Sequence, residues 1–279
     1  MEAAKRGVII GMALGDGHVR VRRRIQGNCV TEERCLRVLH GPQQRAYCEW
    51  KAKRIGWALG GRNVNVTKVR NGPGGKYTAY QFTVGHKYFG QVRRWLYPNG
   101  KKLFTRRVLD MLTPEAVAIW YMDDGSARRN IDSQGYTTSV ATDIATMCSE
   151  AEAVTISDWF MYRFDVRFKI RCNKRCTEGQ QFYIQANTAD TRKFVEIISP
   201  HVPECMMYKL AHVASFNSHE RQTPVSVCEC GTTIYAKRRK GMCSACYHRK
   251  RRQGKAAVGD DIVRPNGKTE PLEAKDKEP

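Results

Sequence analysis

Two apolar stretches of this chain end in the same dipeptide, and this repetition constrains the possible folds more than any other feature. Residues 8–17 and residues 117–125 are both mostly apolar until a closing Asp-Gly, and the two final aspartates lie 108 residues apart. A second marker, Lys-Leu, begins at Lys102 and again at Lys209, an offset of 107 residues. Two nearly equal offsets predict an internal duplication, in which each repeat runs helix, strands, helix, strands, helix.

Each apolar stretch is predicted to be a buried helix that ends at its aspartate, Asp16 or Asp124. Before the second stretch, Thr113, Pro114 and Glu115 follow the usual order of N-cap, first helical proline and first-turn acid. The glycine after each aspartate is predicted to be the left-handed residue that ends a helix.

The charge of the chain predicts the chemistry of its partner. Among 279 residues there are 48 Lys and Arg against 27 Asp and Glu, which gives a formal net charge of +21. This excess is larger than solubility requires and predicts a polyanionic partner.

At about 150 residues per domain, the length predicts about two domains. The longest apolar run, residues 8–15, is too short to span a bilayer, so no membrane partner is expected.

The same run follows two basic residues and has the outline of a secretory signal, which would make the 11 cysteines disulfide candidates. Residues 15–17, Gly-Asp-Gly, are a poor cleavage site, and the cysteines are spread along a long chain. We therefore expect an intracellular protein, cytoplasmic or nucleoid-associated, with an organelle or phage origin left open.

The strand-like segments carry the binding signal. In residues 19–24 and 166–171, apolar and basic residues alternate with the period of two that separates the faces of a strand. Residues 62–67 and 181–185 place amides, a hydroxyl and a phenol on the polar face instead. Arg pairs with guanine and phosphate, and Asn or Gln with adenine, so these faces predict nucleic-acid binding, with a merely solvated face as the alternative. The DNA-binding residues predicted within the two repeats are Arg20, Arg22, Arg24, Arg37, Asn63, Asn65, Thr67, Gln81, Arg167, Lys169, Arg171, Gln181, Tyr183 and Gln185.

The repeated aspartates predict a metal site if the two halves pack their Asp-Gly helices together. Asp16 and Asp124 would then emerge at one end of the pair, and close carboxylates repel unless they are protonated or bridged by cations. Mg²⁺ suits such oxygen ligands and could activate water to attack a phosphodiester, while Lys102 and Lys209 neutralise developing charge. Spacing alone leaves open a second interpretation, two helix-ending turns with surface lysines, because Asp-Gly is a common turn dipeptide.

Residues 11–17 and 112–126 resemble the two signature motifs of single-chain LAGLIDADG homing endonucleases. The resemblance continues through residues 97–102 and 206–210 and covers about residues 7 to 216. It implies an α+β fold of two pseudo-symmetric repeats, each αββαββα with an antiparallel saddle-shaped sheet placed over DNA.

The resemblance also implies domain bounds and site residues. The two halves would span residues 1–110 and 111–222. The ligands implied for two or more Mg²⁺ ions are the carboxylates of Asp16 and Asp124 and the carbonyl groups of Gly15 and Asp123. The implied catalytic lysines are Lys102 and Lys209, with Lys101 as an adjacent competitor for the first role. Leu14 and Met122 depart from the motif, since each stands where its first aspartate would be.

After residue 223 the composition changes, and two cysteine pairs bracket twelve residues. This spacing predicts one structural Zn²⁺ in a module of residues 223–254, although the first pair is separated by one residue instead of two. The predicted ligands are Cys228, Cys230, Cys243 and Cys246, with His248 as a substitute. Basic residues of the module are predicted to lie along DNA phosphates, namely Arg238, Arg239, Arg249 and Arg251. Residues 255–279 lack apolar periodicity and are predicted to be disordered.

Three functions compete. The first is a monomeric, site-specific endonuclease that hydrolyses both strands of a long double-stranded DNA target. The second is a maturase, in which the basic faces serve the RNA of a host intron. The third is a DNA-binding regulator that does not cleave, and the paired Asp and Lys residues argue against it because binding needs no metal carboxylates.

Overall fold

The computed structural model describes residues 1–26, 29–72, 75–132, 134–173, 180–216, 225–234 and 242–256. The chain forms two compact units. The larger unit comprises residues 1–132 and 136–220, and the smaller comprises residues 133–135 and 221–279. The domain bounds near residues 110, 222 and 254 stay predictions.

Among its described residues, the first half of the larger unit contains four helices and four strands, and a short 3₁₀ segment, Pro42–Gln44, joins β2 to α2. The elements are α1 (Ala3–Leu14), β1 (His18–Gln26), β2 (Cys29–His40), α2 (Arg45–Ala58), β3 (Thr67–Asn71), β4 (Tyr77–Gly85), α3 (Tyr88–Leu96) and α4 (Arg106–Leu109). The strands form one antiparallel sheet in the order β1-β2-β4-β3.

The second half repeats this arrangement. Its elements are α5 (Pro114–Asp124), β5 (Gly125–Ile131), β6 (Thr137–Cys148), α6 (Glu150–Phe164), β7 (Phe168–Cys172), β8 (Phe182–Ala186), α7 (Thr188–Ile198) and α8 (Ala211–Ala214). The antiparallel sheet has the order β5-β6-β8-β7, which matches the first sheet strand for strand. The prediction of an α+β fold with two αββαββα repeats is confirmed.

Helices α1 and α5 pack against each other and join the two halves. Every residue of α1 from Gly7 to Leu14 is buried, and α5 is buried from Ala116 to Met122. Helices that are apolar on all sides belong in a core, and this explains why neither stretch shows a polar face. The two backbones approach closely at Gly11, where an added Cβ would lie 2.5 Å from the carbonyl oxygen of Ala116.

The start of α5 has the predicted capping chemistry. The hydroxyl of Thr113 accepts a hydrogen bond from the backbone N–H of Ala116 at 3.2 Å, and Pro114 occupies the first helical position. Glu115 forms a two-pronged ion pair with Arg54 of α2, with distances of 2.7 and 2.9 Å. This pair links α2 of the first half to α5 of the second.

The two glycines that follow the motif aspartates differ from prediction. Gly125 has a φ of −89°, and Gly17 is not among the glycines with positive φ, so neither is left-handed. Glycine is required at both positions because neighbouring atoms leave no space for a side chain. A Cβ on Gly17 would lie 2.3 Å from the carbonyl oxygen of Met12, and one on Gly125 would lie 2.0 Å from the ring of Tyr121.

Residues 62–66, predicted as part of a strand, are not in one, since β3 begins only at Thr67. Val64 and Val66 still pack against the core while Asn63 and Asn65 are exposed. The apolar and polar positions therefore alternate there without strand pairing.

Cys172, which the strand period places on the core face, pairs in register with buried Phe182. It is nevertheless exposed, because β7 ends at this residue. The strand period therefore predicts a packing role for Cys172 that the structure contradicts.

The smaller unit contains β9 (Ser226–Val227), β10 (Thr233–Ile234) and α9 (Ser244–Ala256), and its two strands pair antiparallel. Its buried cluster comprises Cys228, Ile234 and Cys243, with Met242 and Cys246 packed against them. Cysteine side chains thus form much of the interior of this unit.

Within the ranges that the structure describes, no helix combines the length and the apolar character that crossing a bilayer requires.

We expect Gly11→Ala to destabilise the protein, because its Cβ would meet the backbone of Ala116 and force the motif helices apart. Overpacking of a core typically costs about 1–3 kcal/mol. The effect is measured by thermal unfolding of the wild type, of Gly11→Ala and of a control variant. Gly41→Ala is the matched control, since Gly41 has a φ of −65° and an added Cβ would have no atom within 4 Å. Equal melting temperatures for the two variants would contradict the close-packing explanation.

Candidate active site and nucleic-acid interface

The last turns of the two motif helices meet and form the candidate active site. Helix α1 ends at Leu14, two residues before Asp16, and α5 ends at Asp124. The backbone N–H of Asp16 donates a hydrogen bond to the carboxylate of Asp123 at 2.9 Å. This bond joins the ends of the two helices directly.

The carboxylates at this point are electrostatically strained. Burial, together with the neighbouring Asp123 and Asp16 carboxylates, raises the pKa of Asp124 to about 7, although the Trp120 indole donates to Asp124 at 3.2 Å. The pKa of Asp16 is also raised, first by partial burial and then by Asp123. Acidic groups held in this state are stabilised in their charged form by a nearby cation.

The two predicted lysines occupy equivalent places in the two halves. The ammonium of Lys102 donates to the carbonyl oxygens of Leu14 at 2.8 Å and Gly15 at 3.0 Å. The ammonium of Lys209 donates to the carbonyl of Gly125 at 2.7 Å and lies 3.5 Å from that of Asp123. Each lysine therefore faces the carboxyl end of its own motif helix, where the helix dipole favours a cation.

Burial lowers the pKa of Lys102 and of Lys209, and the surrounding aspartates oppose this shift. Lys101, the competitor for the first role, is exposed. The structure therefore brings Lys102 to the end of α1.

A third lysine, which sequence reasoning missed, lies at the same point. Lys51 of α2 is fully buried, and its ammonium lies 2.6 Å from each carboxylate oxygen of Asp123. The hydroxyl of Tyr47 donates to Asp123 at 2.9 Å. A signal was available, since Lys51 falls in the apolar stripe of α2 between Tyr47 and Ile55.

His40, at the end of β2, was also missed and completes this cluster. Its Nε2 lies 3.3 Å from the ammonium of Lys51, and its Nδ1 lies 3.6 Å from the carboxylate of Asp16. Burial and the adjacent Lys51 charge lower the pKa of His40 to about 4, so its ring is neutral near pH 7. Ligand atoms of Asp16, His40 and Asp123 lie within 4.8 Å of one another.

The donor atoms at the helix ends suit a hard cation. The side chain of Asp123 already accepts from Lys51, Tyr47 and the backbone of Asp16, which makes it a poor metal ligand. The other oxygens are the carboxylates of Asp16 and Asp124 and the main-chain carbonyls, which accept from Lys102 and Lys209 but each keep a second lone pair. Oxygen ligands of this kind, with one or two carboxylates, are what Mg²⁺ prefers.

The outer face of the first sheet, defined as the face opposite the core, carries most of the DNA-binding side chains predicted in the first half. In β1, Val19 is buried and pairs with Leu36, so Arg20 and Arg22 lie on the opposite face. The pairing of β2, β3 and β4 places Arg37, Thr67 and Gln81 on that same face. Arg37 donates to Gln81 at 2.9 Å.

The second sheet presents an equivalent outer face. Phe168 is buried, whereas Lys169 and Arg171 are exposed and pair in register with Gln185 and Tyr183. Arg167 is exposed just before β7, and Gln181 lies just before β8.

Arg128 and Asp143 also belong to this outer face, and the sequence analysis did not predict either of them as part of it. They form an ion pair, and Gln185 donates to Asp143 at 2.6 Å. The duplication offset could have found Arg128, because it lies 108 residues after Arg20.

Four of the predicted DNA-binding residues cannot be placed. Arg238 and Arg239 lie outside the described residues, as do the side chains of Arg24 and Arg251. Arg249 is exposed on α9.

The four predicted zinc ligands converge in the smaller unit. Their sulfur atoms all lie within 4.8 Å of one another, and the Sγ atoms of Cys230 and Cys243 are 3.6 Å apart. Four thiolates about 2.3 Å from one zinc ion would be about 3.8 Å from each other, so the spacing fits a tetrahedral site. Hydrogen bonds from Thr232 lower the pKa of Cys230 to about 6, which favours its thiolate. His248 is not part of the cluster.

Comparison with known proteins identifies the larger unit. The sequence model of the LAGLIDADG DNA endonuclease family matches residues 6–194. The chain belongs to this family. The matched residues include most of α1 and all of α5 and both sheets, which confirms the resemblance seen in the motifs.

Individual relatives are more distant. The RecA protein of Mycobacterium gastri is 27% identical over 224 residues, which are 78% of this chain and 49% of that protein. The cytochrome b mRNA maturase bI2 of Debaryomyces hansenii is 28% identical over 160 residues, 55% of this chain and 56% of the maturase. The chain thus spans about half the length of these curated relatives. The solved structure of the homing endonuclease I-WcaI bound to its DNA recognition sequence superposes with a TM-score of 0.57 at 20% identity. It covers 75% of this chain and 86% of that one and shows the same fold.

Proposed function

We propose that this protein is a site-specific endonuclease that hydrolyses both strands of a long double-stranded DNA target with the help of Mg²⁺. The observation that supports it is the meeting of two equivalent helix ends, each with an aspartate at its tip and a partly buried lysine on its carbonyl groups. Binding alone requires no such paired arrangement. Since one chain supplies both halves, a monomer suffices for cutting both strands.

The aspartates and the lysines of the two helix ends have different proposed roles. Asp16 and Asp124, with the carbonyls of Gly15 and Asp123, would hold Mg²⁺, which when bound would supply activated water and stabilise the leaving 3′ oxygen. Lys102 and Lys209 place positive charge beside the two scissile phosphates and neutralise the charge that develops there.

The outer faces of the two sheets bind the target. I-WcaI, which has this fold, was solved on its DNA recognition sequence. Arg side chains on such a face contact guanine edges and phosphates, and Gln and Asn contact adenine. The charge of +21 supports a large electrostatic contribution to affinity.

Assistance of intron splicing is the second candidate function. The likeness to the cytochrome b mRNA maturase bI2, 28% identical over 160 residues, favours host intron RNA as a further partner. The basic residues of the outer faces could bind RNA phosphates as they bind those of DNA.

The cysteines of the smaller unit bind one structural Zn²⁺. Four thiolates complete a tetrahedral shell and leave no position for a reactive water, so this ion would stabilise the unit rather than take part in cleavage. Arg249 on α9, with the basic residues near it, would extend phosphate contacts beyond the larger unit.

We expect Asp16→Asn and Asp124→Asn each to abolish double-strand cleavage while leaving affinity for the target nearly unchanged. A charge-stabilising catalytic group contributes about 10²–10⁴ in rate, and a metal ligand at least as much. The target is first selected by cleavage from a randomised DNA library in Mg²⁺, and single-turnover rates are then measured on it.

The lysines provide a matched pair in the same assay. Lys102→Met is expected to slow cleavage, whereas Lys101→Met, which removes the same charge from the exposed neighbour, is expected to leave it unchanged. Wild-type rates in either aspartate variant, or a defect confined to Lys101→Met, would contradict the assignment.

Replacing Lys169 and Arg171 together with alanine is expected to weaken target binding and to make it less dependent on salt. Each lost phosphate contact lowers the slope of log affinity against log salt by about one. Binding is measured in Ca²⁺ at several salt concentrations. The control replaces Lys68 and Arg70 with alanine. Both are exposed, but they lie on the face of β3 opposite to Thr67 and so not on the outer face. Equal slopes for the two double variants would show that the outer face is only solvated.

The purified chain is expected to contain one zinc ion, measured by elemental analysis under reducing conditions at neutral pH. Cys243→Ser removes a ligand and should lose the ion, because a structural zinc site needs all four ligands. Cys205→Ser, at an exposed cysteine outside the cluster, should retain it. Absence of stoichiometric zinc in the wild type would refute this assignment and leave the endonuclease proposal unaffected.

A further inference from the structure

The buried ion pair between Lys51 and Asp123 breaks the symmetry of the two repeats. Both side chains are fully buried, and the pair joins α2 of the first half to the last turn of α5 in the second. The buried residues of α6, the helix equivalent to α2, are all apolar: Ala153, Ile156, Trp159 and Phe160. Gly15 stands in the first motif where Asp123 stands in the second. The pair therefore exists on one side only.

Two routes connect this pair to Asp16. In the first, one carboxylate oxygen of Asp123 accepts the backbone N–H of Asp16 at 2.9 Å, while Lys51 and Tyr47 hold that carboxylate in place. The backbone of Asp16 is thereby fixed relative to α5.

The second route passes through His40. An ammonium group has donors but no acceptor, so the 3.3 Å contact with Lys51 requires His40 Nε2 to accept. The proton of the neutral ring must then lie on Nδ1, which faces the Asp16 carboxylate at 3.6 Å. Lys51 thus sets the tautomer, and Lys51 together with the hydrogen bond between Gln44 and the ring sets its direction.

Stability alone does not explain such a pair. Replacing a buried ion pair by apolar side chains of similar shape is often neutral or stabilising, because the charges no longer need to be desolvated. The other repeat achieves the same fold with apolar residues at this place.

We propose that Lys51 and Asp123 form a positioning pair that fixes the backbone and side chain of Asp16, and that the active site of the Asp16 half depends on it more than the other does. This inference rests on the proposed endonuclease function. It deepens that function by assigning a positioning role to four side chains other than Asp16, Asp124, Lys102 and Lys209: those of Lys51, Asp123, Tyr47 and His40.

The test replaces the pair by apolar side chains of similar shape, Lys51→Met with Asp123→Leu. This variant is expected to fold, with a melting temperature within about 3 °C of the wild type, and to bind target DNA in Ca²⁺. Cleavage of one strand is expected to slow by about 10- to 100-fold, the effect typical of residues that orient a metal ligand. Nicked DNA then accumulates, and strand-specific end labels show which strand is affected.

The control is the other ion pair between the same two helices, Arg54 with Glu115. Arg54→Met with Glu115→Gln should leave both strand rates within about threefold of the wild type.

If Lys51→Met with Asp123→Leu does not fold, Lys51→Met with Asp123→Asn is used, which keeps an oxygen acceptor for the Asp16 N–H. It is expected to give the same strand bias with a smaller loss.

A second readout needs no cleavage. In the metal-free protein, ¹⁵N NMR of the histidine rings, with His40 assigned by comparison with His40→Gln, is expected to show a proton on Nδ1. The apolar variant should lose this fixed tautomer.

Equal rates for both strands in the apolar variant, whether unchanged or equally slowed, would overturn the positioning role, as would a His40 proton on Nε2 in the wild type. A wild-type protein that cuts no DNA would instead overturn the endonuclease proposal, and this inference with it.

Discussion

The close packing of α1 against α5 is the constraint on which the rest of the larger unit depends. Gly11 lets the two backbones approach until an added Cβ would meet a carbonyl oxygen. Because the helices are this close, their last turns end at the same point, where the Asp16 N–H reaches the Asp123 carboxylate. Each sheet then begins directly from its helix end, since β1 and β5 follow the motif aspartates in the chain. The placement of both outer faces relative to the site follows from this one helix contact.

This packing has an electrostatic cost, because it brings together two helix carboxyl ends and three carboxylates. Each end carries partial negative charge, and like charges in a poorly solvated place raise each other's pKa. Lys102 and Lys209 offset part of this charge at the carbonyl groups, and Lys51 offsets that of Asp123. The pKa of Asp124 still rises to about 7. The site thus lacks positive charge where the proposed Mg²⁺ would supply it.

The duplicated fold could be predicted from sequence because it repeats at a nearly constant offset, and the same offset reaches Arg128 from Arg20. The alternation of residues gave the strand faces, although it could not show that residues 62–66 lack a partner strand, since pairing is a tertiary property. The buried cluster was missed for the same reason. Lys51 lies 72 residues from Asp123, and nothing local to α2 indicates which carboxylate it meets. The glycines after the motif aspartates were assigned to the left-handed region because local turn chemistry favours it, whereas their packing required the absence of a side chain.

Close packing also explains why the two motifs differ at their ends. A Cβ on Gly15 would lie 2.1 Å from a carboxylate oxygen of Asp123, so Asp123 occupies the space that a side chain at Gly15 would need. The side chain that fills this place is a carboxylate removed from solvent, and a buried charge requires a partner. The first half supplies that partner from α2, in Lys51. The contact between the two helix ends is therefore asymmetric in this chain, and the asymmetry extends through His40 to one motif aspartate, Asp16.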